Sequence, residues 1–127
     1  IYSREGHCIT CHQGNGKGLP GSGFPPLAGT KWVTGNPDRL IKLTLKGLMG
    51  PIEVMGVQYP GQVPMTPFEH MLKDDELSAV LTYVRNSFGN KASPVTIDQV
   101  AKIRNNYKDK LGLYSPEELL KDHPLEK

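Results

Sequence analysis

The chain has 127 residues, 37% of them apolar and 7% aromatic, with 15 basic and 13 acidic side chains and a formal charge of +2. That length accommodates one domain, the near balance of charge excludes a polybasic nucleic-acid surface, and no apolar run approaches the roughly 18 to 20 residues that span a bilayer. With 14 Gly and 11 Pro a core of side chains alone would be thin, so a non-protein group is expected in the middle.

The chain opens at Ile1 without an initiator Met, as expected of a mature product or a piece of something longer. Residues 1–12 read as a short helical lead into Cys8-Ile9-Thr10-Cys11-His12, which holds every cysteine in the chain. A disulfide between such close neighbours would staple almost nothing. A thioredoxin-like pair expects a preceding strand and a βαβ setting, and zinc expects a second ligand pair that is absent downstream. The reading that uses all three residues is covalent haem attachment by C-x-x-C-H. On a helical turn, positions 8, 11 and 12 share a face. Two thiols then form thioethers to the vinyl groups on one porphyrin edge, and the His12 imidazole projects toward the iron from the same side. Zinc and free thiols are the alternatives.

Residues 13–29 are too rich in glycine for helix or strand and read as a loop; a phosphate cradle would need a strand before it and a helix after. Asn36-Pro37-Asp38 is a helix start, with Asn as N-cap, Pro at the first position and an acid in the first turn; the helix should stop at Gly47. Ile52-Glu53-Val54 and Val57-Gln58-Tyr59 alternate about Met55-Gly56, predicting a small hairpin. A Pro/Gly-rich loop runs from Tyr59 to Phe68. From Asp74 to Phe88, Leu77, Val80, Leu81, Val84 and Phe88 make one apolar helical stripe, closed by Gly89. Two capping boxes follow: Thr96-Ile97-Asp98-Gln99 opens a helix to about Leu111, and Ser115-Pro116-Glu117-Glu118 opens a short last one.

The C-x-x-C-H at 8–12, Pro25-Pro26-Leu27-Ala28-Gly29, the Pro64-Met65 loop and Leu81-Thr82-Tyr83-Val84-Arg85-Asn86 fall in an order that resembles a class I c-type cytochrome. The resemblance covers residues 1–90 and is most similar to bacterial mono-haem modules fused to or paired with periplasmic dehydrogenases and oxidases. It implies an all-α fold around one covalent haem c, attached through Cys8 and Cys11, with the first and last helices crossing near Tyr2 and Tyr83. It departs from the family at the front, where the first helix normally begins about a turn earlier. The stretch 91–127 lies outside the family pattern, so the expected division is a haem domain over 1–90 and a helical C-terminal extension over 91–127.

His12 is the expected proximal iron ligand. By the resemblance, the Pro25 carbonyl accepts its other ring N–H, as second-shell partners of ligating imidazoles do, and Leu27 packs against the porphyrin. Four methionines compete for the distal position. Met55 falls at the hairpin tip, Met49 at a helix end and Met71 just before the long helix. Met65 lies in the loop the family uses, bracketed by Pro64 and Pro67, which restrict its backbone. It is the expected ligand, with Met71 and His70 as rivals and an open iron as a further alternative. Trp32 N–H and Tyr59 O–H are candidates to hydrogen-bond the haem propionates; for Trp32 plain core packing competes evenly. Arg39 and Lys42 also stand out on the helix from Pro37, and Arg39 is expected on a solvated helix face, with a propionate partner as the alternative.

The implied function is single-electron transfer through a His/Met-ligated haem, by an exported periplasmic carrier with a redox partner. The alternative is a haem domain of a larger oxidoreductase, of quinoprotein dehydrogenase or nitrite reductase type; a haem sensor or peroxidase ranks third. In the extension, Ile97, Val100, Ile103, Tyr107 and Leu111 form an apolar stripe, with Lys102, Arg104, Lys108, Asp109 and Lys110 off it. An isolated helix of about 15 residues is marginal in water. It is therefore expected to pack across the haem domain or onto a partner, as a clamp or docking arm with no redox role.

Overall fold

Helix α2 (Pro37–Lys46) begins where its cap dictates. Asn36 Oδ1 accepts from the N–H groups of Asp38 at 2.8 Å and Arg39 at 3.3 Å, and Pro37 at the first position has no N–H to satisfy. It ends at Gly47, whose φ of +84° turns the chain while its N–H returns to Leu43 O. A single turn, α1 (Lys31–Thr34), precedes it, capped by Thr30 Oγ1. The computed structural model describes residues 8, 12–18, 24–59, 65, 67–110 and 112–124.

Strands β1 (Ile52–Val54) and β2 (Val57–Tyr59) pair antiparallel with Ile52 opposite Tyr59. Both turn residues between them, Met55 and Gly56, have positive φ, the turn that matches strand twist. Helix α3 (Asp74–Arg85) buries Leu77, Val80, Leu81 and Val84, the stripe read from spacing. It stops at Arg85, three residues before the expected Phe88, with Asn86 as its C-cap. The reason is tertiary. Arg85 is drawn inward to donate to the carbonyls of Val33, Gly35 and Ser93, and Phe88 takes φ +58°, with its ring against Gly16. Tyr83 is half exposed and meets the Phe88 ring edge-on; Tyr2, expected near it, lies outside the described residues.

Helices α4 (Ile97–Asn106) and α5 (Pro116–Asp122) carry both expected capping boxes. Helix α4 ends at Asn106 rather than near Leu111. The chain turns there, with Lys42 Nζ over the Tyr107 ring at 4.2 Å. Ile97, placed on the buried stripe by its spacing, is 52% exposed, while Val100 and Ile103 are buried. Val95, Val100, Ile103, Tyr114 and Leu119 join one hydrophobic cluster with the residues of α2 and α3. Thr82 Oγ1 and Ser78 Oγ both donate to Val95 O, fastening the start of the extension to α3.

That packing overturns the solvated face expected for α2. Arg39 is 0% exposed, and Lys42 is also buried, because the extension returns over them. Arg39 donates to the carbonyls of Lys31, His123 and Pro124 and stacks over Trp32. Lys42 Nζ stands 2.8 Å from His123 Nε2. A cation can only donate, so this contact needs Nε2 unprotonated.

Burial first, and Lys42 second, hold the His123 pKa below its usual 6.5. Around pH 6.5 the unfolded chain therefore binds more protons at this site than the folded one. The contribution of this contact to stability is complete above that pH and is lost as pH falls through the depressed pKa. Thermal unfolding followed between about pH 7.5 and about pH 5 should show His123→Gln with a shallower loss of Tm than the parent; identical slopes would remove His123 from the account.

Candidate functional site

Two glycines bring the attachment segment against the following loop. Gly18, at φ +67°, lies so close to the carbonyls of Phe24 and Pro25 that a Cβ would fall 2.3 and 2.6 Å from their oxygens. Gly16, at φ +69°, lies against the Phe88 ring, and its carbonyl accepts from Leu27 N–H and Ala28 N–H. Gly18 N–H donates to His12 O at 3.1 Å. This close approach sets His12 Nδ1 2.8 Å from Pro25 O. A carbonyl only accepts, so Nδ1 carries the proton and Nε2 keeps its lone pair. Burial pushes the His12 pKa down against the smaller opposing effect of the Pro25 bond, and a neutral imidazole is the form that binds a metal.

Cys8 and His12 are both helical, and both line a cavity of about 90 Å³. Cys11 lies outside the described residues. Pro25, Pro26 and Leu27 form the wall beside His12, and Trp32 and Val33 come from α1. Helix α2 supplies Leu40 and Leu43, and α3 supplies Val80, Leu81 and Val84. Strand β1 gives Ile52 and Val54, and Met65, Phe68 and Leu72 come from the stretch between β2 and α3. The wall is almost wholly carbon, with the Cys8 sulfur, the His12 ring and the Met65 thioether as its soft donors.

The backbone of Met65 is paired with Leu48, N–H to O in both directions at 2.8 and 3.2 Å. The rival ligands stand elsewhere: Met49, Met55 and Met71 are each at least half exposed, and the His70 side chain is 92% exposed beside Glu69. Trp32 lines the cavity, but its indole N–H donates to Glu53 O at 3.0 Å. In this arrangement the indole is a packing surface whose only donor is already engaged. Tyr59 is buried on the hairpin and is not among the cavity-lining residues. Arg39 is turned to the extension. Among the described residues no three His, Cys, Asp or Glu side chains gather as a metal-holding group.

An apolar wall carrying a thiol, a neutral imidazole with one nitrogen tied back, and a thioether is the donor set that a porphyrin with its iron would use. A family model, that of cytochrome c, matches residues 1–88. The chain belongs to the cytochrome c family. It is 41% identical to cytochrome c-552 of Thermus thermophilus over 113 residues, taking in 82% of this chain and 81% of that protein. That share of this chain exceeds the stretch 1–88, so part of the extension is common to both. It is 34% identical to the cytochrome c subunit of a quinone alcohol dehydrogenase from Gluconacetobacter polyoxogenes, and 31% identical to the fructose dehydrogenase cytochrome subunit of Gluconobacter japonicus. The matches take in 82% and 79% of this chain but 21% of each of those subunits. As a cytochrome c, the chain carries a covalently bound haem c and transfers single electrons through it, and its only cysteines are Cys8 and Cys11.

Sequence reasoning missed Asn90, which is 5% exposed. Its Oδ1 accepts from Gly29 N–H at 2.7 Å, and its Nδ2 donates to Leu27 O at 3.1 Å and Val84 O at 2.8 Å. One amide thus ties the loop beside His12 to α3. Its signal was only its place just after Gly89, where a polar residue reads as surface. Asn90→Leu should cost about 2 to 4 kcal/mol in denaturant unfolding of the holoprotein, since three buried backbone groups lose their partner. A loss under about 0.5 kcal/mol would mean that water replaces the amide there.

Proposed function

We propose that His12 and Met65 are the axial iron ligands, with Cys8 and Cys11 as the thioether positions, Pro25 as the acceptor that orients His12, and Leu27 as apolar packing on the porphyrin. The observation that carries this reading is the shared cavity, which holds Cys8, a His12 ring with only Nε2 left to coordinate, and the Met65 side chain. When bound, the haem supplies one reversible one-electron couple. The chain's own residues keep the surroundings of that couple unchanged between states. The apolar wall excludes water, Pro25 holds the imidazole in one tautomer, Gly18 holds the His12 backbone, and Leu48 holds the Met65 backbone. Little reorganisation then accompanies each electron.

The protein acts in this reading as an exported, periplasmic electron carrier that serves an oxidoreductase partner. The match to cytochrome c-552, which takes in 81% of that protein, supports the carrier reading. The dehydrogenase cytochrome subunits among its relatives point to dehydrogenases as the class of donor. No helix among the described residues is long and apolar enough to cross a membrane. Residues 1–90 are the haem module and 91–127 a strap across it.

Thioether ligation favours ferrous iron and raises the potential relative to an imidazole pair. Ferric protein should show the weak red charge-transfer band of a methionine–iron bond, and Met65→Ala should abolish it. Met65→His should keep six-coordinate iron and lower the midpoint potential in a redox titration. A band that survives in Met65→Ala and disappears in Met71→Ala would move the ligand to Met71.

A further inference from the structure

The segment 47–49 has a backbone partner on each side. Leu48 gives its N–H and C=O to Met65, while Gly47 O and Met49 N–H bond Tyr114 N–H at 3.0 Å and Tyr114 O at 2.9 Å. Three pieces of chain form a ribbon with Met65 on one edge and the extension's Tyr114 on the other. Gly47 is where they converge: a Cβ there would fall 2.7 Å from Met65 O, 3.0 Å from Leu113 Cδ2 and 3.1 Å from Pro67 N. A second tie reaches the same loop farther along. Arg104 of α4 donates to the carbonyls of Glu69 and Leu72 and pairs with Asp74 at 2.7 Å.

We infer that the C-terminal extension is a positioning device for the distal ligand, with Tyr114 acting through residues 47–49 and Arg104 through residues 69–72 to hold the Met65 loop against the iron. This rests on Met65 being the ligand. It departs from an extension with no redox role, the expectation drawn from the stripe of α4 alone. A methionine–iron bond is weak enough that its lifetime depends on how firmly the loop is held. The hydrogen bonds of the extension hold 47–49 and 69–72 in place, so Met65 cannot move away by carrying its neighbours with it. Tyr114 is buried, and Lys110 Nζ lies over its ring at 4.5 Å. The anchor therefore sits in the core and not on a frayed end.

The test uses ferric holoprotein and exogenous imidazole as the competing ligand. Arg104→Met and Tyr114→Pro, the second removing the Tyr114 N–H, should each speed imidazole entry and bleaching of the charge-transfer band by about tenfold, equivalent to ~1.4 kcal/mol of lost restraint. Val100→Ala empties part of the same α4 packing and removes none of the hydrogen bonds to ribbon or loop. It should lower Tm and leave imidazole entry at the parent rate. Native-state hydrogen exchange on the parent gives a readout that needs no variant: the amides of Met65 and Tyr114 should open together, with one dependence on denaturant. Equal effects from Val100→Ala and Arg104→Met, unchanged rates in both ribbon and loop variants, or separate opening of the two amides would overturn the inference and leave Met65 as ligand. A band that persists in Met65→Ala would instead remove the ligand reading itself.

Discussion

Protein interiors pack like organic crystals, with few voids larger than a water molecule. The apolar cavity of about 90 Å³ walled by α1, α2, β1, α3 and the stretch around Met65 is therefore the constraint on which this fold depends. Helices α2 and α3 line it with Leu40, Leu43, Val80, Leu81 and Val84, the apolar surface that the haem of a cytochrome c would meet. The loops beside it, rich in Gly and Pro, are shaped by close approach to one another. Gly18 against Phe24 and Pro25 is the clearest case, since no side chain fits there.

The extension solves a second problem. Helix α2 must present its apolar face inward while carrying Arg39, Lys42 and Lys46 on other faces, and all three are buried. Burying cations is costly unless each is paired. Backbone carbonyls at the end of α5 and an aromatic ring receive Arg39. His123 and Tyr107 receive Lys42, and Glu69 receives Lys46 at 2.7 Å. The carbonyls that receive Arg39 at 123 and 124, and both partners of Lys42, come from beyond residue 90. The cations of α2 and the tail form one unit, and neither is a conventional surface.

Much of the local structure was legible. The Asn36 cap, the stop at Gly47, the hairpin about Met55-Gly56 and the boxes at Thr96 and Ser115 are each encoded within four or five residues, because a cap or a turn is satisfied by its immediate neighbours. Helix ends were read less well. Helix α3 ran past Arg85 in the pattern because Phe88 continues the stripe, yet Arg85 and Phe88 answer to Ser93 and Gly16. Helix α4 was extended through Tyr107 for the same reason, although that ring turns to Lys42.

The sequence by itself offered the candidate attachment residues and the starts of α2, α3, α4 and α5, since each rests on spacing along a short stretch of chain. The resemblance to a family loop singled out the candidate methionine. Tertiary structure alone decided which polar groups are buried and what they hold. The bond from Trp32 spans 21 positions, Arg104 reaches back 32 to Leu72, and Arg39 meets His123 across 84. Such pairings have no period and no local motif. An arginine on a helix reads as solvated from its neighbours and is buried only because a distant segment folds over it. The same holds for Tyr114, whose backbone reaches Met65 through a third piece of chain.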